Sequence, residues 1–140
     1  MPENETCVFC KIAEGIFSCY KVYEDDFVIA FLDINPLTLG HTLVVPKKHV
    51  AKITELEDEE VAKLFKAVKK VANLISEKLS PDFNIIINQG EKADQIIPHL
   101  HVHIVPRYGE EEIYRWKPFV LTSDKAEEVL KKLGVNPDEQ

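Results

Sequence analysis

Three of the five histidines alternate with apolar residues in the run Pro98-His99-Leu100-His101-Val102-His103-Ile104-Val105-Pro106-Arg107. Successive side chains of an extended strand point to opposite faces, with roughly 6.5–7 Å between alternate residues. The run therefore predicts a strand that carries three imidazoles on one face and buries aliphatic side chains on the other. A row of imidazoles on a strand indicates a chemical site.

The segments around this run predict an α+β domain. Together with 101–105, strand-forming residues give about five strands, the others at 21–24, 27–32, 41–45 and 83–88. Apolar residues spaced by threes and fours predict one long helix over about 58–79, with Asp58 as its N-cap. Short helices are expected at 8–14 and, capped by Ser123, at 124–133. Strands adjacent in sequence favour a mostly antiparallel sheet, with the long helix across one face and a short C-terminal helix.

The composition is typical of a single globular domain. The 140 residues are 45% hydrophobic and 29% charged, which is enough for one buried core. A net charge of −7 argues against nucleic acid as a partner. No stretch is long and apolar enough for a membrane span, and residues 1–5 lack an apolar signal segment. We therefore expect a cytoplasmic protein with no membrane partner.

Two chemistries use a row of imidazoles. A His-x-His pair on a strand, with a third histidine, can hold a catalytic zinc ion. Alternatively, a neutral imidazole attacks an electrophile while its other nitrogen is held by a hydrogen-bond acceptor, and neighbouring imidazoles donate to the developing charge. The residue pattern alone leaves both open, as well as a third interpretation in which the histidines are satisfied polar residues at a sheet edge.

The chain resembles the histidine triad (HIT) family, in particular its Hint-like microbial hydrolases. The family signature, His-φ-His-φ-His-φ-φ with φ apolar, is matched at every position of 99–105. Further segments match in order and spacing: 7–12, 31–36, His41, 46–49 and 88–95. The resemblance implies one HIT domain over 1–140, with its core at about 5–107 and a C-terminal extension at 108–140.

The resemblance also implies a two-step nucleotidyl transfer. His101 would attack the α-phosphorus of a purine nucleotide derivative, and water would hydrolyse the nucleotidyl-histidine that results. His103 would donate to a phosphate oxygen, and His99 and His41 would support the same site. No metal is required for this chemistry.

Nucleotide contacts carry over from the resemblance at several positions. Asp33 matches the residue that binds the ribose hydroxyls, and Asn88 and Gln95 match polar groups at the phosphate end. The apolar clamp around the base would consist of Phe9, Phe31, Ile34 and Leu43.

Two positions depart from the family pattern. Ile96 stands where many members have a small hydroxyl residue that helps the leaving group depart. Asp94 stands where glycine is usual, and its carboxylate would repel an anionic substrate. The preferred leaving group is therefore the open question.

The three cysteines do not form an even secreted disulfide framework. The Cys7-x-x-Cys10 pair supplies half of a tetrahedral zinc site, or consists of two incidental thiols. The resemblance implies a structural zinc held by Cys7, Cys10, His49 and His99. Cys19 has no evident partner, and we expect it to pack as a small apolar group.

Further expectations concern partners and alternatives. The resemblance implies a homodimer whose two five-stranded sheets join into one. Residues 108–117, with Tyr114 and Trp116, shape either the leaving-group side or the partner interface. The alternative functions are a zinc hydrolase with the histidines as ligands and a nucleotide-binding protein without significant turnover.

Overall fold

Five antiparallel strands form one sheet in the computed structural model, which describes residues 6–110 and 117–136. The strands are β1 (Lys21–Glu24), β2 (Val28–Leu32), β3 (Thr42–Pro46), β4 (Phe83–Ile86) and β5 (Val102–Pro106). Their order across the sheet is β1-β2-β3-β5-β4. Each neighbouring pair is antiparallel. The predicted α+β fold is confirmed.

Three helices lie in the described part of the chain: α1 (Val8–Ala13), α2 (Asp58–Lys78) and α3 (Ser123–Leu133). Both N-cap predictions for the longer helices were wrong by one residue. The N-cap of α2 is Glu57, whose backbone N–H donates to the Glu60 carboxylate at 2.9 Å. The N-cap of α3 is Thr122, whose hydroxyl accepts from Lys125 N. Thr122 is a preferred N-cap type, whereas Glu57 holds the position through its reciprocal bonding with Glu60.

The strands nearest the histidines differ from their predicted spans: β4 is two residues shorter, and β5 keeps its length but lies one residue later. β4 ends at Ile86, so that Asn88 lies in the loop that follows it. β5 begins at Val102, because the preceding residues bond elsewhere: the N–H of Leu100 donates to Val50 O at 2.7 Å. His99 and His101 therefore lie on extended chain that enters the strand, and His103 lies within it.

Alternate side chains of the central strands divide between two faces. One face packs on α2 through a core that contains Val44, Leu100, Val102 and Ile104. The apolar residues predicted to lie opposite the histidines are thus buried as expected. Of the helix positions predicted to be apolar, Phe65 and Leu79 stay substantially exposed, while Leu64, Val68, Val71, Ala72 and Ile75 are buried.

The opposite face of the sheet packs on α1. Its smaller core contains Cys7, Phe9, Cys10, Ile29, Phe31, Leu43 and Val45. Because α1 covers only part of this face, the histidine side chains beside it remain reachable from a cavity. No helix in the described ranges is long and apolar enough to cross a membrane.

Candidate active site

A cavity of about 940 Å³ opens on the sheet face that carries α1. His41, His101 and His103 line it together with Asp33 and Asn88. Its apolar part includes Phe9, Phe17, Phe31, Leu43 and Ile97. A second cavity of about 760 Å³, between the end of α2 and Arg107, contains none of the predicted site residues. An apolar cavity with a few convergent polar groups is the usual form of a small-molecule site.

His101 is buried and held in one tautomer. Its Nδ1 lies 2.7 Å from the backbone oxygen of His99, which can only accept, so Nδ1 carries the proton. Nε2 then keeps its lone pair. Burial lowers the pKa of His101, and this favours the neutral ring that such a lone pair requires. The Phe9 ring and the imidazole pack in a T-shaped arrangement, with 5.1 Å between ring centroids.

A chain of hydrogen bonds fixes the tautomer of His103 as well. The backbone N–H of Leu37 donates to His41 Nδ1 at 3.0 Å, so the proton of a neutral His41 is on Nε2. His41 Nε2 lies 2.9 Å from His103 Nδ1 and donates to it. The proton of His103 is therefore on Nε2, ready to donate to a ligand. Burial, with His101 and His41 close by, lowers the pKa of His103 to about 4.

Asp33 lies beside this chain at the end of β2. One carboxylate oxygen accepts from Asn35 N at 2.9 Å, and the other lies 3.6 Å from His41 Nε2. Burial lowers the pKa of His41, so we treat this contact as a carboxylate beside a neutral ring rather than as an ion pair. Asp33 keeps acceptor capacity that faces the cavity.

The predicted base clamp is brought together in part. Phe9, Phe31 and Leu43 are buried and line the cavity from α1, β2 and β3. Ile34 also lines it but is 78% exposed, so it lies at the rim. The rings of Phe9 and Phe31 meet edge to face at 5.6 Å.

Gln95 is the predicted contact that the structure does not bring to the cavity. Its Oε1 accepts from Gly90 N at 2.8 Å, and its Nε2 donates to Ala51 O at 2.7 Å. Both ends of the amide thus hold the 90–95 loop in place. Gln95 is not among the residues that line the cavity.

The two positions that depart from the family pattern both line the cavity. Asp94 has φ 69°, the only positive φ of a non-glycine residue in the described segments. This left-handed conformation is one that glycine adopts without strain and that aspartate and asparagine tolerate. Ile96 is 83% exposed and offers no proton to a leaving group.

The four predicted zinc ligands lie close together behind the cavity. Nδ1 of His99 lies 3.3 Å from Cys7 Sγ and 3.5 Å from Cys10 Sγ. Nδ1 of His49 lies 3.1 Å from Cys10 Sγ and 3.2 Å from Nδ1 of His99. Tetrahedral zinc with these donors needs ligand atoms about 3.3–3.8 Å apart, as follows from its bond lengths. The four residues therefore could hold a metal ion.

The surroundings of this cluster fit a metal site. His99 Nε2 lies 2.8 Å from the carbonyl oxygen of Pro46, so Nε2 carries the proton and Nδ1 is free to coordinate. Such an outer hydrogen bond is typical of metal-bound histidine. Burial beside Cys7 raises the pKa of the Cys10 thiol to about 12, and a cation would favour its thiolate. Cys19, in contrast, lies apart from the cluster and lines the cavity.

The histidine row is thus divided between two sites. His99 points to the cysteines and is not among the residues that line the cavity, whereas His101 and His103 line it. Asp33, His41 and His103 form another group with ligand atoms close together. However, a neutral His41 has its proton on the nitrogen that faces this group, so a metal there would have to displace that proton or break the bond from Leu37 N.

The resemblance to the HIT family implied a backbone carbonyl at the second nitrogen of His101, but sequence reasoning did not identify which backbone groups set these tautomers. Leu37 N, Pro46 O and His99 O each fix one imidazole. Residue type does not identify these groups, because the backbone carries the same carbonyl at every residue and the same N–H at every residue except proline. Only the three-dimensional course of the chain shows which of them meet an imidazole. The predicted role of 108–117, with Tyr114 and Trp116, falls mostly outside the described residues.

Comparison with known proteins gives the family. The HIT domain model matches residues 17–110. The chain is 49% identical over 107 residues to Protein hit of Bacillus subtilis, which covers 76% of this chain and 74% of that protein. It is 43% identical over 106 residues to adenosine 5′-monophosphoramidase hnt1 of Schizosaccharomyces pombe, over 76% of this chain and 77% of that protein.

A solved structure agrees with these sequence matches. The crystal structure of a HIT family member from Bacillus subtilis superimposes with a TM-score of 0.86 at 40% identity, over 92% of this chain and 95% of that one. The match includes the segment with the three alternating histidines and the sheet that carries them. The chain therefore belongs to the HIT family.

Proposed function

We propose that the protein is a HIT-type nucleotide hydrolase or nucleotidyltransferase that acts on the α-phosphorus of purine nucleotide derivatives through a nucleotidyl-His101 intermediate. The observation that supports it most is the 2.7 Å bond from His101 Nδ1 to His99 O, beside an open cavity. This bond leaves the lone pair on Nε2, and it stabilises the positive charge that the ring acquires on attack. Trapping a labelled nucleotidyl-protein on His101 tests the proposal.

In the first step, His101 Nε2 forms a bond to the α-phosphorus, and the bond from phosphorus to the leaving group breaks. The leaving group takes the bonding electron pair; an amine leaves protonated by solvent, which the open cavity admits. The Nε2–H of His103 donates to a phosphoryl oxygen while negative charge increases there. Nδ1–H of His101 stays on the carbonyl of His99 throughout.

In the second step, a water oxygen attacks the same phosphorus. The bond between phosphorus and Nε2 breaks, and its electron pair returns to His101 as the water proton passes to solvent. The products are the nucleoside monophosphate and the free imidazole. Transfer to another acceptor in place of water would make the same protein a nucleotidyltransferase.

The remaining residues of the cavity position the nucleotide. Phe9, Phe31, Leu43 and, at the rim, Ile34 bind the base, and Asn88 binds at the phosphate end. Asp33 accepts hydrogen bonds from the ribose hydroxyls, a role suited to an ionised carboxylate. Nucleoside phosphoramidates and dinucleoside polyphosphates are the two substrate classes, and the relative hnt1 is named as a monophosphoramidase.

Substitution Asp33→Asn should weaken nucleotide binding. Loss of a charged acceptor for two hydroxyls is expected to raise KM for adenosine 5′-phosphoramidate roughly 10- to 100-fold, with a smaller change in kcat. Steady-state kinetics of both proteins check this. The matched control is the 2′,3′-dideoxy substrate, for which wild type and Asp33→Asn should differ little; an equal loss on both substrates would contradict the ribose contact.

We further propose that Cys7, Cys10, His49 and His99 hold a zinc ion. A closed Cys₂His₂ site has no open position, so the ion would be structural and would join α1 to the sheet. The close approach of the four donor atoms supports this proposal. His99 would then act on His101 only through its backbone carbonyl.

We also propose that the protein is a homodimer in the cytoplasm. Measurement of its molecular mass in solution tests the dimer.

One observation favours the alternative of a nucleotide-binding protein without turnover: Ile96, which lines the cavity, offers no proton to a leaving group. Burst and steady-state kinetics on adenosine 5′-phosphoramidate and on diadenosine polyphosphates distinguish the two functions. Absence of turnover on every nucleotide would favour the binding protein.

A further inference from the structure

The cavity has negative charge and no basic side chain on its walls. Among its described lining residues, the carboxylates are Asp33 and Asp94, and neither lysine nor arginine is present. Burial lowers the pKa values of His41 and His103, so these two rings add no positive charge near neutral pH. Arg107, whose positive charge also lowers the pKa of His41, lines the second cavity.

The two carboxylates differ in what they can do. Asp33 has its oxygens beside Asn35 N and His41, and our proposed function assigns it to the ribose. Asp94 lies in the loop that leads to the histidines, at the end of the short 3₁₀ turn Glu91–Ala93. Its backbone N–H already donates to Glu91 O at 3.0 Å. The charged group that Asp94 offers to a ligand is its carboxylate.

The backbone conformation of Asp94 is unfavourable for a residue that has a side chain. Its left-handed φ of 69° is strained for most residues other than glycine, although aspartate and asparagine tolerate it. Glycine there would relieve the strain and remove the charge. The protein instead has an acidic residue here, in a cavity that His101 and Asn88 also line.

We propose that Asp94 sets the charge preference of the leaving group, so that the protein favours nucleotide derivatives with a cationic, amine-bearing leaving group over those with an anionic one. The inference rests on the proposed function, because it needs a leaving group to depart from the cavity. A carboxylate attracts a cationic group and repels polyphosphate, whose charge no basic residue of the described walls neutralises. Asp94 is thus a specificity-determining residue.

Three substrates whose amines each have four carbons test this charge preference. Adenosine 5′-phosphoramidates of putrescine, butylamine and γ-aminobutyrate share the phosphorus–nitrogen bond and differ in the terminal charge of the amine. We expect kcat/KM to fall in that order for the wild type, with at least a tenfold ratio between the first and the last at low ionic strength. Added salt should reduce this ratio.

Asp94→Asn keeps a residue that tolerates the left-handed conformation, and Asp94→Gly provides a second variant without strain. In both, the ratio should fall to within about threefold. Glu91→Gln is the matched control: it removes one carboxylate from the same loop at a residue that does not line the cavity, and the ratio should remain that of the wild type.

The outcomes separate this inference from the proposed function. A wild-type ratio near one, or a high ratio that persists in both Asp94 variants, would overturn the role of Asp94 while turnover of the butylamine derivative still supports the hydrolase. A Glu91→Gln variant that lowers the ratio equally would also overturn it, because net charge of the loop would then suffice. No turnover of the three, with diadenosine polyphosphate still cleaved, would overturn this inference alone, and no turnover of any of these nucleotides would overturn both proposals.

Discussion

His101→Ala should reduce turnover of adenosine 5′-phosphoramidate by at least about three orders of magnitude, because removal of a covalent nucleophile abolishes the route itself. Nucleotide affinity should change little, since the base and ribose contacts come from other elements. Steady-state kinetics and equilibrium binding of the nucleoside monophosphate measure the two effects separately. A loss of rate with retained binding is the expected signature.

The intermediate gives a more direct test. Rapid quenching of wild type with a labelled substrate should trap one labelled nucleotidyl group on His101, and mass spectrometry of the peptide locates it. His101→Asn serves as a second variant of polar character, and neither variant should trap label. Retained turnover in both, or label on a different residue, contradicts the proposal.

His103→Asn is a matched control for this experiment. It removes the ring that donates to the phosphoryl oxygen but leaves the bond between His101 and His99 O intact. We expect slower formation of the adduct with the attachment site unchanged. Equal and complete loss in the His101 and His103 variants, with no adduct in either, would instead fit a site in which the histidines act together as metal ligands.

The sequence allowed most of the fold to be predicted, because its patterns are local. The alternation of histidine and apolar residues over 99–105 predicted the two faces of β5. The spacing of apolar residues predicted the ends of α2 to within a residue or two. Strand ends were less predictable. β5 begins at Val102 because Leu100 N bonds to Val50 O, and no local pattern contains that distant carbonyl.

The candidate site was predictable only where side-chain type and order carry information. His41, His101 and His103 meet as expected, yet the tautomers that give them different roles depend on backbone atoms such as Leu37 N and His99 O. Gln95 shows the opposite error. Its position in the sequence indicated a ligand contact, whereas the turn it stabilises uses both ends of its amide.

Cys10→Ser should remove the bound metal and destabilise the fold. Cys7 and His99 are 92 residues apart in sequence, so one ion would join α1 to the segment that enters β5. The loss of this connection is expected to cost about 3–5 kcal/mol, or a decrease in Tm of about 10–15 °C for a domain of this size. Metal analysis and a thermal scan measure the two effects on the same sample.

Cys19→Ser is the matched control, since it replaces a thiol that lies outside the cluster. We expect about one zinc per chain in wild type and in Cys19→Ser, and almost none in Cys10→Ser. Wild-type protein purified with zinc available but containing none would show that Cys7 and Cys10 are incidental thiols. Equal decreases in Tm for both variants would also count against the cluster.

Removal of the metal from the wild-type protein distinguishes a structural ion from a catalytic one. Chelated wild type at a temperature where it remains folded should still form the nucleotidyl adduct, because His101 and His103 contribute no ligand to the Cys₂His₂ cluster. The rate should decrease only as far as the carbonyl of His99 loses its position against His101 Nδ1. Complete loss of the adduct on chelation, in protein shown to be folded by circular dichroism, would instead establish the metal as part of the chemistry.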